Sequence, residues 1–404
     1  MNDAADKLSE EAGRCIGCGF CESVCPTEPA SGYVASRGAR GRVILSKELL
    51  KNHAGNRDVS IFADSFYSCL DCYACYQVCP AGVNAGLISH YSREIIGRSS
   101  APPLARMIER MIMRYRSIIP AGRRICDWAR DMGIRNSGST LLYTGQMYQL
   151  MAYVPKLSRF LHRKFPGPGF TASIALRFPA AAHISRLFRD REVAAAMNAS
   201  LRDIALLLKN SGVDFFYLFD EEPYPGTLLN DLGFTDSFDK YSAWLADFFR
   251  SKGVRNIITV DPHTYDLFRN VIPGRVPEFD FDVSHYLELL DSSKLKMTGR
   301  RVTFHEPCHL SRRFADFSLP SEMLAKCTVA SMPVKSGRST YCCGGPDELL
   351  FPGIADSVSH RRSEQLEMTG AEVTVTACPV CNITLRRSGK VMDIASVLAE
   401  STRV

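Results

Sequence analysis

The chain has 404 residues, 46% of them apolar and 23% charged, which suits two or three folded domains and excludes a disordered chain. A net charge of +6 is too mild to demand nucleic acid, and no interleaved basic and aromatic motif accompanies it. The polar, acidic start MNDAADKLSEEAGR lacks an apolar leader core and no window reaches the roughly 18 apolar residues of a spanning helix, so a cytoplasmic setting is expected, where clustered cysteines are ligands rather than disulfides.

The first predicted element is a cysteine run, CIGCGFCESVCP, with Cys15, Cys18, Cys21 and Cys25 before Pro26. CLDCYACYQVCP repeats it with Cys69, Cys72, Cys75 and Cys79 before Pro80. Two-residue gaps let successive thiolates converge on one iron–sulfur cube, and the three-residue step turns the fourth away. Zinc hooks explain neither the third cysteine of each run nor the trailing proline. The pair of runs resembles two-cluster bacterial ferredoxins. That resemblance implies two [4Fe-4S] cubanes with crossed ligands, one on Cys15, Cys18, Cys21 and Cys79, the other on Cys69, Cys72, Cys75 and Cys25. Between the runs, SRGARGRVILSKELL reads as a basic loop followed by a helix, with Arg37, Arg40 and Arg42 either solvated or steering an acidic redox partner.

From Ala101 the composition shifts. APPLARMIERMIMRYRSIIP opens on two prolines and closes on Pro120, with Leu104, Met107, Ile108, Met111, Ile112 and Tyr115 at helical spacing. Arg106, Arg110 and Arg114 lie on another face, so the apolar stripe is expected to pack on its own protein or to rest on a membrane or partner subunit.

The C-terminal part places Cys308 in TFHEPCHLSRR, Cys342 and Cys343 in YCCGGP, and Cys378 and Cys381 in TACPVC. Five cysteines exceed a zinc site and do not match a ferredoxin cube. They resemble the CCG cysteine-rich domain of heterodisulfide reductases and their relatives. The resemblance implies a non-cubane [4Fe-4S] cluster on Cys308, Cys342, Cys343, Cys378 and Cys381, at which a disulfide is reduced in one-electron steps. RRVTFHEPC and AEVTVTACPVC read as strands that end near ligands, which puts the cluster at the edge of an α/β sheet. His309, with His305, Arg312 and Arg313 nearby, is a candidate proton donor to a departing thiolate. Cys126 and Cys327 match no motif and are read as buried small hydrophobes.

An internal repeat precedes this half. LLYTGQMYQL, FYLFDEEPYPG, NIITVDPHTYDLF and FDVSHYLELL run in the order of the cysteine-bearing segments, with Gln146 for the first cysteine, Asp220 and Glu221 for the vicinal pair, and Asp261 and Thr264 for the last two. Asp220, Glu221, Glu222, Asp261 and His263 are read as ordinary polar positions rather than a second metal site. The expected fold class is α+β / α/β: a helical ferredoxin-like domain over 1–99, an amphipathic helical linker over 100–136, a degenerate cysteine-rich half over 137–295, and a complete one over 296–404. The expected function is that of an iron–sulfur subunit reducing a disulfide or oxidising thiols, or else passing electrons from a flavin dehydrogenase to a quinone or cytochrome. No G-x-G-x-x-G flavin fingerprint is present, so the expected partners are a flavoprotein or a membrane cytochrome b-type subunit, with any membrane association peripheral and through that partner.

Overall fold

Two short parallel sheets organise the C-terminal three-quarters of the chain. The computed structural model describes residues 3–119, 125–161, 187–314, 317–386 and 389–403. The first sheet contains β1 (Thr140–Tyr143), β2 (Asn256–Thr259) and β3 (Asp282–His285) in the order β1-β2-β3. The second contains β4 (Arg301–His305), β5 (Val329–Ser331), β6 (Val373–Thr376) and β7 (Val391–Asp393) in the order β5-β4-β6-β7. Thr140 pairs with Asn256 in one sheet and Val302 with Val373 in the other. On the free edge of β1, Phe216 makes the bridge that β5 makes to β4, and its carbonyl accepts from Leu142 N at 2.8 Å. With Phe216 standing for β5, both sheets run second-first-third-fourth, the topology of the repeat read in the sequence.

The strands are apolar on both faces, as helix-covered parallel strands must be. Ile257 and Ile258 are each 1% exposed, and burying such side chains contributes roughly 1.5–3 kcal/mol apiece. The helices Arg191–Asn210 and Ile394–Arg403 pack together and join the halves, and Tyr148 donates to Asp393 at 2.8 Å across the same junction.

The helices Asp3–Gly13, Ala39–Ala54 and Ala85–Ser100 carry the N-terminal domain. Asn84 caps the last, its Oδ1 accepting from Gly86 N at 2.9 Å and Leu87 N at 3.3 Å. This domain sits directly on the first half. Gly233, at φ +74, faces Arg93 so closely that a Cβ would lie 2.8 Å from the Arg93 backbone, so only glycine fits. Arg93 is 2% exposed and donates to Phe66 O, Cys69 O, Asp231 O and the Asp71 carboxylate.

The proline-led helix is Pro103–Tyr115. Leu104, Ile108, Met111 and Ile112 are buried against the chain itself, so the stripe is not open to a membrane. Its end is set by Arg116, which turns left-handed at φ 54 and lays its guanidinium 3.9 Å above the Trp244 ring. Pro120, expected to close this segment, lies outside the described residues.

Candidate metal centres

The two N-terminal runs surround two adjacent hollows. One, of about 410 Å³, is lined by Cys15, Cys18, Cys21 and Cys79. The other, of about 330 Å³, is lined by Cys25, Cys69, Cys72 and Cys75. Each thus takes three thiols from one run and the fourth from the other, and Ala85 walls both. Burial pushes the Cys21 thiol up to about 11 and Cys69 up to about 12. Thiols so placed carry charge comfortably only beside a compensating cation, and bound iron is one. Backbone geometry serves the same end: Val83 N donates to Cys79 Sγ at 3.2 Å, and N–H···S bonds of this kind set cluster potential.

Arg42 departs from the reading of a basic loop. The segment after Gly38 is helical, and Arg42 points inward at 1% exposure, donating to Ser65 O at 2.7 Å, Thr27 Oγ1 at 3.1 Å and Cys25 Sγ at 3.9 Å. It places a fixed positive charge against the second hollow. Arg40 lines the first hollow, 3.8 Å from Glu22, and Arg37 reaches Asp64 at 3.8 Å and the face of Phe351. None is a free steering charge.

The five C-terminal cysteines converge from two strand ends and the loop that holds the vicinal pair. Cys308 starts the helix Cys308–Arg313 just after β4; Cys378 precedes the helix Pro379–Leu385 just after β6; Cys381 lies one turn into that helix. The vicinal pair straddles the site. Cys342 packs in one buried cluster with Cys308 and with Cys72 of the second hollow, whereas Cys343 Sγ lies 3.2 Å from Cys381 Sγ. Interaction among these thiols draws Cys72 and Cys308 below the ordinary thiol value and holds Cys342 above it. Gly344 N and Gly345 N donate to Cys342 and Cys343 Sγ, both at 3.4 Å. A Cβ on Gly345 would sit 2.3 Å from Val380 Cγ1 and 3.4 Å from Cys343 Sγ, so the backbone is pressed against the thiols.

The donor set suits an iron–sulfur group in two further ways. Asn382, beside Cys381, is fully buried with neither amide atom bonded to protein, and an amide can donate to sulfide. Two buried arginines supply positive charge. Arg362 Nε donates to His305 Nδ1 at 3.0 Å, His305 in turn bonds Cys343, and Arg312 donates to Cys72 O at 2.5 Å, to Arg338 O at 2.9 Å and to Thr340 O. His305, Cys343 and Cys381 form the one group of His, Cys, Asp and Glu among the described residues whose ligand atoms lie within 4.8 Å of one another. Spacing does not single out His305 as a neighbour of Cys343 and Cys381; only the strand register brings it there.

His309 faces the first half rather than solvent. Its Nδ1 is 2.9 Å from Asp266 Oδ2, and Arg313 Nε reaches the same carboxylate at 3.0 Å. Burial opposes charge on both partners, but their hydrogen bond outweighs it, lifting His309 to about 9 and holding Asp266 down at about 2. Its ring centroid lies 4.1 Å from that of His263. Arg312 and Arg313 are therefore both engaged by the protein.

In the first half the equivalent positions are filled by a polar network. Gln146 follows β1 as Cys308 follows β4, and donates to Glu222 O at 2.6 Å while accepting from Ser117 Oγ at 2.6 Å. Asp261 caps the helix Pro262–Asp266, accepting from His263 N and Thr264 N at 3.0 Å, in the place Cys378 has in the second half. Asp220 and Glu221 stay outward; the inward carboxylate is Glu222, which accepts from Thr144 N at 2.6 Å, Thr144 Oγ1 and Tyr217 OH. Burial lifts it to about 7. Cys327 is a buried small side chain as expected, but Cys126 also donates to Asp220 Oδ1 at 2.8 Å.

Two family models match parts of the chain. Residues 11–83 match the 4Fe-4S dicluster domain and residues 302–386 the CCG cysteine-rich domain. The chain is 24% identical to a probable membrane-anchored ferredoxin of Chromohalobacter salexigens over 95% of its own length, and spans 59% of that relative. It is 25% identical to a probable glycolate oxidase iron-sulfur subunit of Bacillus subtilis, covering 99% of this chain and 96% of the relative. It is 21% identical to a subunit of the dihydromethanophenazine:CoB–CoM heterodisulfide reductase of Methanosarcina acetivorans, covering 92% and 87%. The matched residues thus join a 4Fe-4S dicluster domain to a CCG cysteine-rich domain. Among the described residues no helix is long and apolar enough to cross a membrane.

Proposed function

We propose that the chain is an electron-transfer subunit of an iron–sulfur oxidoreductase. In this reading Cys15, Cys18, Cys21 and Cys79 hold one [4Fe-4S] cubane, and Cys69, Cys72, Cys75 and Cys25 a second. Cys308, Cys342, Cys343, Cys378 and Cys381 hold a non-cubane [4Fe-4S] cluster where a disulfide is reduced or thiols are oxidised. The observation that carries it is the packing of Cys72 with Cys308 and Cys342 in one buried cluster, which brings the second hollow against the C-terminal thiols. When bound, the clusters supply one-electron transfer along that series.

The chain's own residues do the rest. Arg42, bonded to Ser65 O and beside Cys25, and Arg312, bonded to Cys72 O, fix positive charge near the thiols of the second hollow. Asp266 holds His309 protonated beside Cys308, ready to give a proton to a departing thiolate. Ile16 and Phe20, 69% and 60% exposed around Cys18, offer an apolar face where a flavoprotein or cytochrome partner docks on the outer centre. A second reading, transfer from a flavin dehydrogenase to a quinone or cytochrome without disulfide chemistry, is favoured by the engagement of both Arg312 and Arg313 within the protein, which leaves neither to hold an anionic substrate. Likeness to the glycolate oxidase iron-sulfur protein supports this second reading, and likeness to the heterodisulfide reductase the first.

The test is iron, acid-labile sulfide and zinc per chain on anaerobically purified protein. About twelve irons with as many sulfides, and a paramagnetic spectrum shifted by an added disulfide, is the expected result. About eight irons with one zinc after reconstitution would overturn the reading.

A further inference from the structure

Against Cys343, His305 and Arg362 form a buried pair, 1% and 0% exposed. His305 ends β4, and Arg362 comes from the helix Pro352–Glu367. Arg362 is held by four hydrogen bonds: from Nε to His305 Nδ1 at 3.0 Å, from one Nη to Lys335 O at 2.9 Å and Gln365 Oε1 at 3.0 Å, and from the other to Thr340 Oγ1 at 3.4 Å. None of these partners is a carboxylate. Glu306, the carboxylate that acts on Arg362, accepts from Gly337 N instead. A buried guanidinium needs a negative counterpart. The other acidic groups that act on it are the Cys381 and Cys343 thiols, which are anionic once they bind metal.

The contact with Arg362 fixes the state of the imidazole. A guanidinium has only donors, so the Nδ1 it meets is unprotonated and the ring proton sits on Nε2. With Nδ1 taken, Nε2 is the nitrogen left to face the thiols. The ring acts directly on Cys343, and His305, Cys343 and Cys381 have ligand atoms within 4.8 Å of one another. The proton on Nε2 therefore points at sulfur and occupies the position through which that nitrogen would bind iron.

We propose that His305 is a positioning residue rather than a sixth ligand: held by Arg362 in its Nε2–H form, it donates to the Cys343 sulfur and raises the midpoint potential of the C-terminal centre. The proposal rests on the reading of the five cysteines as an iron–sulfur centre. Reduction adds negative charge that spreads onto the ligand sulfurs, so a donor aimed at one of them stabilises the reduced state more than the oxidised one. Cys308 and Cys342 pack with Cys72, whereas Cys343 packs with Cys378 and Cys381. The pull thus acts on the side of the centre away from the N-terminal domain.

The test is a redox titration of the holoprotein followed by electron paramagnetic resonance, with two variants that divide the imidazole between its nitrogens. In His305→Gln the amide nitrogen takes the place of Nε2 and keeps a donor on Cys343. In His305→Asn the amide oxygen takes the place of Nδ1, and the shorter side chain leaves the sulfur without a donor. His305→Asn is expected to lose about tenfold in the one-electron reduction constant, a midpoint about 59 mV more negative. His305→Gln should stay near wild type, and neither N-terminal centre should move. Wild-type holoprotein labelled with nitrogen-15 histidine supplies a second readout: pulsed resonance should show an exchangeable proton and a weak nitrogen coupling at the C-terminal centre. A nitrogen coupled as strongly as a coordinated imidazole makes His305 a ligand and overturns the proposal, even where neither variant loads iron. An unmoved midpoint in His305→Asn with about twelve irons bound overturns it and leaves the centre standing. About eight irons with one zinc in the wild-type protein overturns both.

Discussion

Glu222 offers a test of what replaced the thiols of the first half. The residue is 3% exposed, and its value rises from the ordinary 4.5 to about 7 because burial disfavours the carboxylate more than the Thr144 and Tyr217 bonds favour it. The folded chain therefore keeps a proton that the unfolded chain releases between those pH values. Stability from this group is fully present below about 4.5 and is lost as pH rises through about 7, a total of about 3 kcal/mol for a shift near 2.5 units. Glu222→Gln removes the titration while its amide oxygen still accepts from Thr144 N, and the two hydroxyls can rotate to accept from the amide nitrogen. At pH 5 the variant should melt within a few degrees of wild type, since the exchanged hydrogen bonds are worth about 1 kcal/mol. At pH 8 it should gain about 3 kcal/mol relative to its own difference at pH 5, or roughly 5 to 10 °C for a unit of this size. Anaerobic thermal melts followed by far-ultraviolet circular dichroism give both numbers. Asp231, Asp261 and Asp393, also raised to about 6 by burial, are common to both proteins and cancel in the difference. Parallel melting curves for variant and wild type across this pH range would refute the reasoning.

Arg42→Met removes a buried cation 3.9 Å from Cys25 and, on the proposed ligand sets, should lower the midpoint potential of the centre at Cys25, Cys69, Cys72 and Cys75 by on the order of 100 mV in a redox titration, with the centre at Cys15, Cys18, Cys21 and Cys79 unmoved. Arg312→Ala strips a donor from three backbone carbonyls, including Cys72 O; a loss of about 3 kcal/mol in stability is expected, together with slower reduction of the C-terminal centre in stopped-flow. Gly345→Ala drives a methyl into the stiff Val380 side chain and toward Cys343; on the proposed assignment about four irons per chain should be lost while the signals of the two N-terminal centres persist.

The cysteine runs were legible because ligand spacing is a local property, and the repeat was legible because its segments kept their order even where Gln146 and Asp261 had replaced thiols. What sequence could not show is long-range. Arg42 looked like a loop charge because the carbonyl and hydroxyls that bury it lie 15 to 26 residues away. Glu222 looked no different from Asp220 and Glu221, since its partner Thr144 is 78 residues off and only the turn decides which carboxylate faces in. The packing of Cys72 against Cys342 crosses from one domain to another, and an apolar cavity between the halves takes its walls from both. The membrane option for the linker helix fell to packing, which amphipathic spacing alone does not specify.

The three cysteine sites lie at three depths. Cys18 is exposed at the outermost, Cys72 is 7% exposed at the next, and Cys342 and Cys378 are 2% exposed at the last. To dissolved oxygen or a chelator the sites are therefore unequal targets, and iron should leave from the outside inward. On the proposed function, a sample that has shed the iron of its outermost site would still carry intact inner centres with unaltered spectra, yet it would accept nothing from a partner docked there. Activity lost on handling would then measure disconnection of the chain from its supply, and refilling one surface site would restore it.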